Sequence, residues 1–221
     1  MEINSAVIDM LKEGTWQTLY MVFMSSVISY IIGIPLGILL VVTDKEGIRP
    51  AVPFNKALGL VINLLRSVPF IILLIMVLPL TKVIVGKVTG SNAVIVPLVI
   101  SAAPYIARMV ESSLKEVDAG VVEAAKSMGA TTMQIILKVL LPEARPSLLV
   151  GAAISVTTIL GYSAMAGFVG GGGLGDIAIR YGYHRYETDM MLITVVLLVI
   201  IVQLIQEGFM RWSRKSDKRI R

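Results

Sequence analysis

The chain has 221 residues, of which 56% are hydrophobic and only 16% are charged, and its mean hydropathy is +0.82. Soluble domains carry about 25% charged residues, so the composition indicates a polytopic membrane protein, and the net charge of +5 fits basic cytoplasmic loops better than a nucleic-acid partner. The absence of cysteine excludes a disulfide framework, thiol catalysis and a Cys-ligated metal site.

The N-terminus is acidic and leads directly into a long apolar segment. Glu2, Asp9 and Glu13 accompany a single lysine, Lys12. A cleavable signal peptide would begin with a basic region and a short apolar run. The first apolar segment is therefore expected to be retained as a membrane span.

Five apolar segments are long enough to cross a bilayer, which takes about 20 predominantly apolar residues. They run from about Trp16 to Val42, Ala57 to Leu80, Ala93 to Val110, Leu148 to Gly167 and Met190 to Gln206. The expected fold class is all-α, a polytopic membrane protein with five transmembrane helices. Residues 1–221 are expected to form a single transmembrane domain.

The basic residues predict the orientation, because cytoplasmic loops are rich in Lys and Arg. The first loop, the loop from Leu114 to Pro146 and the C-terminal tail carry thirteen, namely Lys45, Arg49, Lys56, Lys115, Lys126, Lys138, Arg145, Arg211, Arg214, Lys215, Lys218, Arg219 and Arg221. The other side carries five, namely Lys12, Lys82, Lys87, Arg180 and Arg185. The N-terminus is therefore predicted to lie outside and the C-terminus in the cytoplasm.

The first three spans contain residues that affect helix packing or carry charge within the membrane. In the first, Gly33 and Gly37 flank Pro35, a pattern that allows a kink and close helix packing. In the second, Arg66 either faces a bundle interior or aqueous cavity, or extends to the cytoplasmic end of the span. In the third, Arg108 and Glu111 share a helix face and are expected to form an ion pair at the cytoplasmic edge.

Small residues and glycines follow in the fourth span and after it. The span ends in Gly161-Tyr162-Ser163-Ala164-Met165-Ala166-Gly167, which suits a tight interface or a constriction. Gly170, Gly172 and Gly175 then match the spacing G-x-G-x-x-G, but the dinucleotide-binding pattern requires a preceding strand within a βαβ unit. We expect a sharp re-entrant turn instead.

The sequence lacks the common catalytic motifs. The only histidine, His184, lies in the loop from Asp176 to Asp189 among tyrosines typical of a membrane interface. One histidine supplies neither a Ser/His/acid set nor a metal site. The phosphate loop G-x-x-x-x-G-K-[ST] and the zinc motif H-E-x-x-H are absent. We therefore expect no enzyme activity and no metal site on this chain.

The stretch from Leu114 to Pro146 is the longest charged, helix-competent segment between the apolar spans. Asp118 is placed to cap a helix that runs to Met128, and Gly129 suits the left-handed conformation that ends it. The helix presents Glu123 among alanines and valines. This surface is either a compact knob for a partner's groove or an amphipathic face that lies on the membrane or on the protein's own spans.

A second helix is predicted directly after Gly129. Thr131 and Gln134 have the spacing of a capping box, in which each satisfies a backbone N–H of the other. The helix is expected to run towards Leu141, and Pro142 to mark the bend into the fourth span.

The spacing within this loop resembles a known motif. Glu123-Ala124-Ala125 is followed by three residues, Gly129, nine residues and Val139-Leu140-Leu141-Pro142. This is similar to the EAA loop of ATP-binding-cassette importer permeases, whose pattern has Ile where this chain has Val139. The position of the loop between the third and fourth of five spans also resembles the small permeases of that family.

Further segments resemble the membrane subunits of methionine importers in particular. They are the segments from Arg66 to Leu74, Ala103 to Glu111, Gly161 to Met165 and Tyr181 to Tyr183, and the Gly-Gly-Gly-Leu-Gly run. The resemblance covers nearly the whole chain and implies a multi-pass permease of the bacterial inner membrane. Its substrate would be D- or L-methionine or a related amino acid.

The same resemblance implies the partners. Two copies of the chain would form the pathway in the lipid bilayer, and two cytoplasmic ATPase subunits would bind ATP and Mg and dock on the EAA loops. An extracytoplasmic solute-binding protein or lipoprotein would deliver the substrate. The chain itself would carry no cofactor, and no nucleic acid would be involved.

The candidate site residues follow from the resemblance. Those for coupling to the ATPase are Glu123, Ala124, Ala125, Gly129, Ala130, Leu141 and Pro142, and those for the gate or the pathway are Met165, Ser163, Tyr162 and Arg66. A permease for another small solute and a membrane scaffold remain alternatives. An ion-coupled secondary transporter would need intramembrane carboxylates, and the spans hold almost none away from their ends.

Overall fold

The computed structural model describes residues 5–216, and all regular structure in this range is helical, as the sequence predicts. Glu2 and the tail residues Lys218, Arg219 and Arg221 lie outside the described residues. The α-helices are α1 (Ser5–Val42), α2 (Val52–Ser67), α3 (Phe70–Met76), α4 (Leu78–Val85), α5 (Ser91–Lys115), α6 (Ala119–Ser127), α7 (Thr132–Ile135), α8 (Leu141–Glu143), α9 (Arg145–Met165), α10 (Gly173–Ile177) and α11 (Thr188–Ser216). A 3₁₀ turn (Ala166–Val169) and two π-helical segments (Ile136–Leu140 and Ala178–Tyr183) extend or join them.

Among the described residues, four helical segments are long and apolar enough to cross a membrane by themselves. These are α1, α5, α9 with its 3₁₀ extension to Val169, and α11. The predicted second span, from about Ala57 to Leu80, is interrupted, because the chain bends by 99° between α2 and α3. Pro69 explains the break, since proline disfavours a helical conformation of the residue before it. The bent pair is either a broken span or a re-entrant loop.

The helices pack as two compact units. The first unit comprises residues 5–28, Val68–Ala102 and Val156–Gln206, and the second comprises Ser29–Ser67, Ala103–Ser155 and residues 207–216. The long helices α1, α5, α9 and α11 contribute residues to both units, whereas α6 and α7 belong to the second.

In the first unit, the glycine turn after α9 is fastened to α1. Gly170, Gly172 and Gly173 all have positive φ, which confirms the sharp turn predicted from the sequence. The backbone N–H of Gly173 donates to Gln17 Oε1 at 2.8 Å, and that of Leu174 donates to Thr18 Oγ1 at 2.9 Å. These bonds satisfy amides at the start of α10 that have no partner within the helix.

In the second unit, α1 packs closely on α5 through two glycines. A Cβ added to Gly37 would lie 2.6 Å from the carbonyl oxygen of Ala107 and 2.6 Å from Cβ of Val110. A Cβ on Gly33 would lie 2.6 Å from Cγ2 of Ile106. The close helix approach predicted from this pattern is therefore present, and α1 continues as a helix through Pro35.

The start of α2 is joined to the end of α1 in the same unit. The Asn55 side-chain amide donates to the carbonyl of Leu40 at 2.6 Å and to Thr43 Oγ1 at 3.0 Å. Next to this contact, Leu40, Ile62 and Ala107 form a buried apolar cluster of α1, α2 and α5. The three helices are thus held together where the connection from α1 to α2 begins.

Candidate functional site

The first helix of the Leu114–Pro146 segment begins and ends as its sequence predicts. The Asp118 carboxylate accepts a hydrogen bond from the backbone N–H of Gly120 at 2.7 Å and caps α6. Gly129 has a φ of 77°, directly after the last turn of α6. Its N–H donates to the carbonyl of Lys126, and the N–H of Ala130 donates to the carbonyl of Ala125. This pair of bonds is a Schellman motif, which gives Ala130 a structural role at the helix end.

Gly129→Val is expected to distort this helix end. No heavy atom lies within 4 Å of the position of an added Cβ, so the strain arises from the backbone alone. A left-handed conformation costs a residue with a Cβ about 1–2 kcal/mol, and a β-branched residue is less tolerant than alanine. We expect association with the ATPase that the resemblance to importer permeases implies to weaken by about tenfold or more, measured by titration of the purified subunits. The affinity of Gly129→Ala should lie between those of Gly129→Val and the wild type. Wild-type affinity of the valine variant would contradict the role of the turn.

The second helix also has the predicted start, but it ends differently. Thr131 and Gln134 form the capping box, with the Thr131 N–H donating to Gln134 Oε1 at 2.8 Å. The helix passes through the π-helical segment Ile136–Leu140 into α8. Pro142 therefore lies near the end of a continuous helical run that begins at Thr132, and the interruption before α9 follows two residues later, at Ala144.

The Glu-Ala-Ala run is divided between a packed and an exposed face. Ala125 is buried and faces the protein, whereas Glu123 and Ala124 are exposed. Met128, at the end of α6, is 81% exposed. Within residues 5–216, the Glu123 side chain has neither an ion pair nor a hydrogen bond. The α6 face around Glu123, Ala124 and Met128 therefore combines one free carboxylate with small and apolar groups, which suits a groove on another protein.

The buried side of this segment forms a firm base for α6. Ala125, Ile135, Ile136 and Leu140 are all buried, and α6 contacts the π-helical segment that contains the last two of these residues. Of the remaining coupling candidates, Leu141 is half-buried and Pro142 is exposed. α6 therefore packs directly on the helical run that leads into α9.

A charged network lies in the same unit. Glu111 accepts hydrogen bonds from Arg108 at 2.6 Å and from Lys115 at 3.0 Å, and Lys115 also pairs with Asp44 at 2.7 Å. The second guanidinium nitrogen of Arg108 donates to Asn63 Oδ1 at 2.9 Å and to the carbonyl of Gly59. The predicted Arg108–Glu111 pair is confirmed, and it belongs to a chain of contacts from the α1–α2 connection through α5 to α2.

Asp44 stays ionised in this network at neutral pH. The side-chain hydrogen bond from Lys115 and the backbone hydrogen bond from Lys45 hold the pKa of the Asp44 carboxyl below its ordinary value. Because the folded state lowers this pKa, the contribution of the carboxylate to stability is present at neutral pH and is lost only under acidic conditions, as the pH falls through the lowered pKa.

Glu111→Gln is expected to destabilise the second unit. The change leaves Arg108 half-buried without its carboxylate and removes one partner of Lys115, and hydrogen bonds to charged groups contribute about 1.5–3 kcal/mol each. We expect a lower midpoint of thermal unfolding in detergent, measured by tryptophan fluorescence.

The control for Glu111→Gln is Glu207→Gln, which removes an exposed carboxylate that pairs with Arg211. It should leave the midpoint unchanged, because exposed ion pairs contribute little. Equal midpoints for the two variants would show that the network is not structural.

Three gate candidates lie together in the first unit, at the end of α9. The ring of Tyr162 stacks on that of Phe70, with centroids 4.5 Å apart and planes inclined by 6°. Met165 is 46% exposed, whereas Ser163 is buried and its hydroxyl donates to the carbonyl of Leu160. The stack fixes α3 against α9, a contact that the sequence analysis does not predict. Arg66, the fourth candidate, lies in the second unit.

The glycine turn of the first unit borders a polar cavity of about 550 Å³. Its charged lining consists of Glu13, Lys87, Asp176 and Arg180, and Arg180 forms a 2.6 Å ion pair with Asp176. A 3₁₀ turn precedes the glycines and a five-residue helix follows them. The turn therefore lacks the strand that a dinucleotide-binding loop requires.

Comparison with known proteins gives close matches over nearly the full length. A model of the family described as binding-protein-dependent transport system inner membrane component matches residues 33–221. The probable D-methionine transport system permease protein MetI of Vibrio cholerae is 56% identical over 211 residues, covering 96% of this chain and 94% of that protein. The protein of the same description from Pasteurella multocida is 47% identical over 206 residues, covering 93% and 95%.

Solved structures also match this chain over nearly its full length. A chain of the MetNI methionine ABC transporter, in an inward-facing conformation, has a TM-score of 0.96 and 46% identity, covering 98% of this chain and 100% of that chain. An amino acid ABC transporter crystallised with histidines has a TM-score of 0.78 at 18% identity, covering 97% and 100%. At that lower identity the similarity is one of fold.

Proposed function

Because this chain belongs to the family of binding-protein-dependent transport system inner membrane components, we propose that it is the pathway-forming permease of an ATP-driven methionine importer. The family match and the relatives confirm the resemblance to importer permeases that the spacing from Glu123 to Pro142 indicates. The observation that carries the mechanism is the free carboxylate of Glu123 on the exposed face of α6, above the buried Ala125.

The names of the relatives support D-methionine as the substrate, and we extend the proposal to the L form. In the arrangement that we propose, two copies of the chain enclose the pathway, and each α6 docks in a groove of one cytoplasmic ATPase subunit. An extracytoplasmic solute-binding protein delivers the amino acid. ATP and Mg²⁺ bind to the ATPase, and this chain holds no cofactor of its own.

The topology that we propose has five crossings, with the N-terminus outside and the C-terminus in the cytoplasm of a bacterial cell. The α2–α3 pair, with its 99° bend, serves as the second crossing. The excess of Lys and Arg on the predicted cytoplasmic side supports this orientation. It places α6 where a soluble ATPase can reach it.

Coupling then follows from how α6 is held. ATP-driven movement of the docked ATPase displaces α6, and its packing through Ala125 on the Ile136–Leu140 segment carries the displacement towards α9. Met165, at the end of α9 and half exposed, is our candidate for the gate. Tyr162 supports it through the stack on Phe70.

Transport in proteoliposomes tests this function. The permease is reconstituted with its cognate ATPase and solute-binding protein, and uptake of radiolabelled methionine is followed with ATP, with a non-hydrolysable analogue and without nucleotide. We expect uptake only with ATP, unaffected by ionophores that collapse ion gradients. Uptake driven by an ion gradient without ATP would identify a secondary transporter. ATP-driven uptake of another solute, with no binding of either methionine enantiomer, would identify an importer of different specificity.

A further inference from the structure

Arg66 is the last charged residue before the break between α2 and α3. It lies ten residues after Lys56, and a rise of 1.5 Å per residue places it about 15 Å further along α2. That is about half of a hydrocarbon core of about 30 Å. An arginine side chain is shorter than this distance, so it does not bring the Arg66 guanidinium back to the level of Lys56.

The Arg66 side chain is directed towards α5. It follows the buried Gly59 and Ile62 at spacings of seven and four residues, which places all three on one face of α2. Ile62 packs in the apolar cluster with Ala107 of α5. The guanidinium carbon of Arg66 lies 5.7 Å from the centre of the Tyr105 ring, within the range of a cation–π contact. The aromatic ring therefore holds the cation beside the protein.

Arg66 differs in its charge balance from the basic residues of α5. Arg108 and Lys115 both pair with Glu111, whereas Arg66 has no carboxylate partner within residues 5–216. Its side chain is exposed. An arginine inside a membrane span is costly. The default interpretation of such a residue is that it belongs to a functional site, such as a substrate or ion pathway.

The chemistry of the partner follows from the guanidinium group. Its planar fork of N–H donors matches a carboxylate, which accepts two parallel hydrogen bonds. Every amino acid that passes through the proposed permease carries an α-carboxylate. We propose that Arg66, oriented by Tyr105, binds the α-carboxylate of the amino acid during its passage through the permease, an inference that rests on the proposed function.

This assignment has a consequence for specificity. Both enantiomers of methionine carry the carboxylate, so Arg66 admits either of them. A thioether amine without the carboxylate is rejected at this position. The permease thus makes its own selection for amino acids, in addition to that made by a solute-binding protein.

Equilibrium binding of radiolabelled methionine to the purified permease–ATPase complex, without solute-binding protein, tests the proposal. Two competitors are compared on the wild type, methylthiobutyrate, which keeps the carboxylate, and methylthiopropylamine, which lacks it. We expect the acid to compete at least about tenfold better than the amine. Arg66→Gln should weaken methionine binding by about ten- to hundredfold, the usual range for a hydrogen-bonded charge pair.

Arg66→Lys should bind with intermediate affinity, because it keeps the charge but loses the fork. The matched control is Arg185→Gln, which removes another guanidinium lying over a tyrosine, Tyr181, and should bind like the wild type. If Arg66→Gln does not assemble with the ATPase, two other measurements test the proposal. They are the methionine affinity of Arg66→Lys and the competition between the acid and the amine on the wild type. Competition by the amine equal to that of the acid, or wild-type affinity of an assembled Arg66→Gln, overturns the proposal.

The failure of this inference is distinguishable from that of the proposed function. ATP-driven methionine uptake by the wild type, measured in proteoliposomes with the solute-binding protein, reports on the function alone. Intact uptake together with no measurable methionine binding in the absence of the solute-binding protein would overturn the Arg66 site and leave the importer function standing.

Discussion

Glu123→Lys is expected to reduce ATP-driven uptake by about two orders of magnitude while the protein still inserts and folds. Glu123 is exposed and has no partner within residues 5–216, so its replacement disturbs no internal contact. In the docked complex, the reversed charge would face the groove that accepts the carboxylate. Loss of one member of a desolvated charge pair costs about 2–5 kcal/mol, so transport should fall by about two orders of magnitude. Uptake of labelled methionine and co-purification of the ATPase measure the effect.

Glu46→Lys is the matched control for this charge reversal. Glu46 is also an exposed glutamate of the second unit, but it lies in the connection between α1 and α2 and not on α6. Glu46→Lys changes the net charge by the same amount as Glu123→Lys and should leave uptake and ATPase binding at the wild-type level. Normal ATP-dependent uptake by Glu123→Lys would show that the exposed face of α6 is not the coupling surface.

The parts of the Leu114–Pro146 segment that the sequence predicts correctly depend on local chemistry. Asp118, Gly129 and the Thr131–Gln134 pair act within one turn of their own backbone, so their roles follow from residue type and spacing alone. Which alanine of the Glu-Ala-Ala run is buried depends instead on how α6 packs on α7 and on the π-helical segment after it. Sequence spacing alone does not carry that information.

The break between α2 and α3 is missing from the sequence prediction for a different reason. The run from Ala57 to Leu80 is apolar enough to span, and hydropathy does not distinguish a straight helix from a bent one. Pro69 is the local signal, but prolines also occur within continuous helices, as Pro35 does in α1. The tertiary surroundings decide whether a proline ends a membrane helix.

The charged network shows the same division between local and distant contacts. Arg108, Glu111 and Lys115 lie three and four residues apart on α5, and this spacing is sufficient to predict their mutual pairing. The contacts of Arg108 with Asn63 and of Lys115 with Asp44 join residues that are far apart in the chain. They depend on how α2 and the α1–α2 connection pack on α5, which only the structure provides.

Gly37→Leu is expected to disrupt the packing of α1 on α5. A Cβ at this position meets the carbonyl oxygen of Ala107 at 2.6 Å, and a backbone atom cannot move aside as a flexible side chain can. Overpacking of this kind costs about 1–3 kcal/mol or more, so we expect aggregation in detergent or a markedly lower unfolding midpoint. Size-exclusion chromatography and thermal unfolding measure both.

Gly208→Leu separates this effect from a general intolerance of leucine. Gly208 also lies within a long helix, α11, but no heavy atom lies within 4 Å of its added Cβ. Leucine favours a helix over glycine by somewhat less than 1 kcal/mol, so this variant should be as stable as the wild type or more stable. If Gly37→Leu matched Gly208→Leu in both measurements, α1 would not pack on α5 through its glycines. In that case, the contact between Gly37 and the Ala107 carbonyl would not be what holds α1 against α5, the helix that leads into α6.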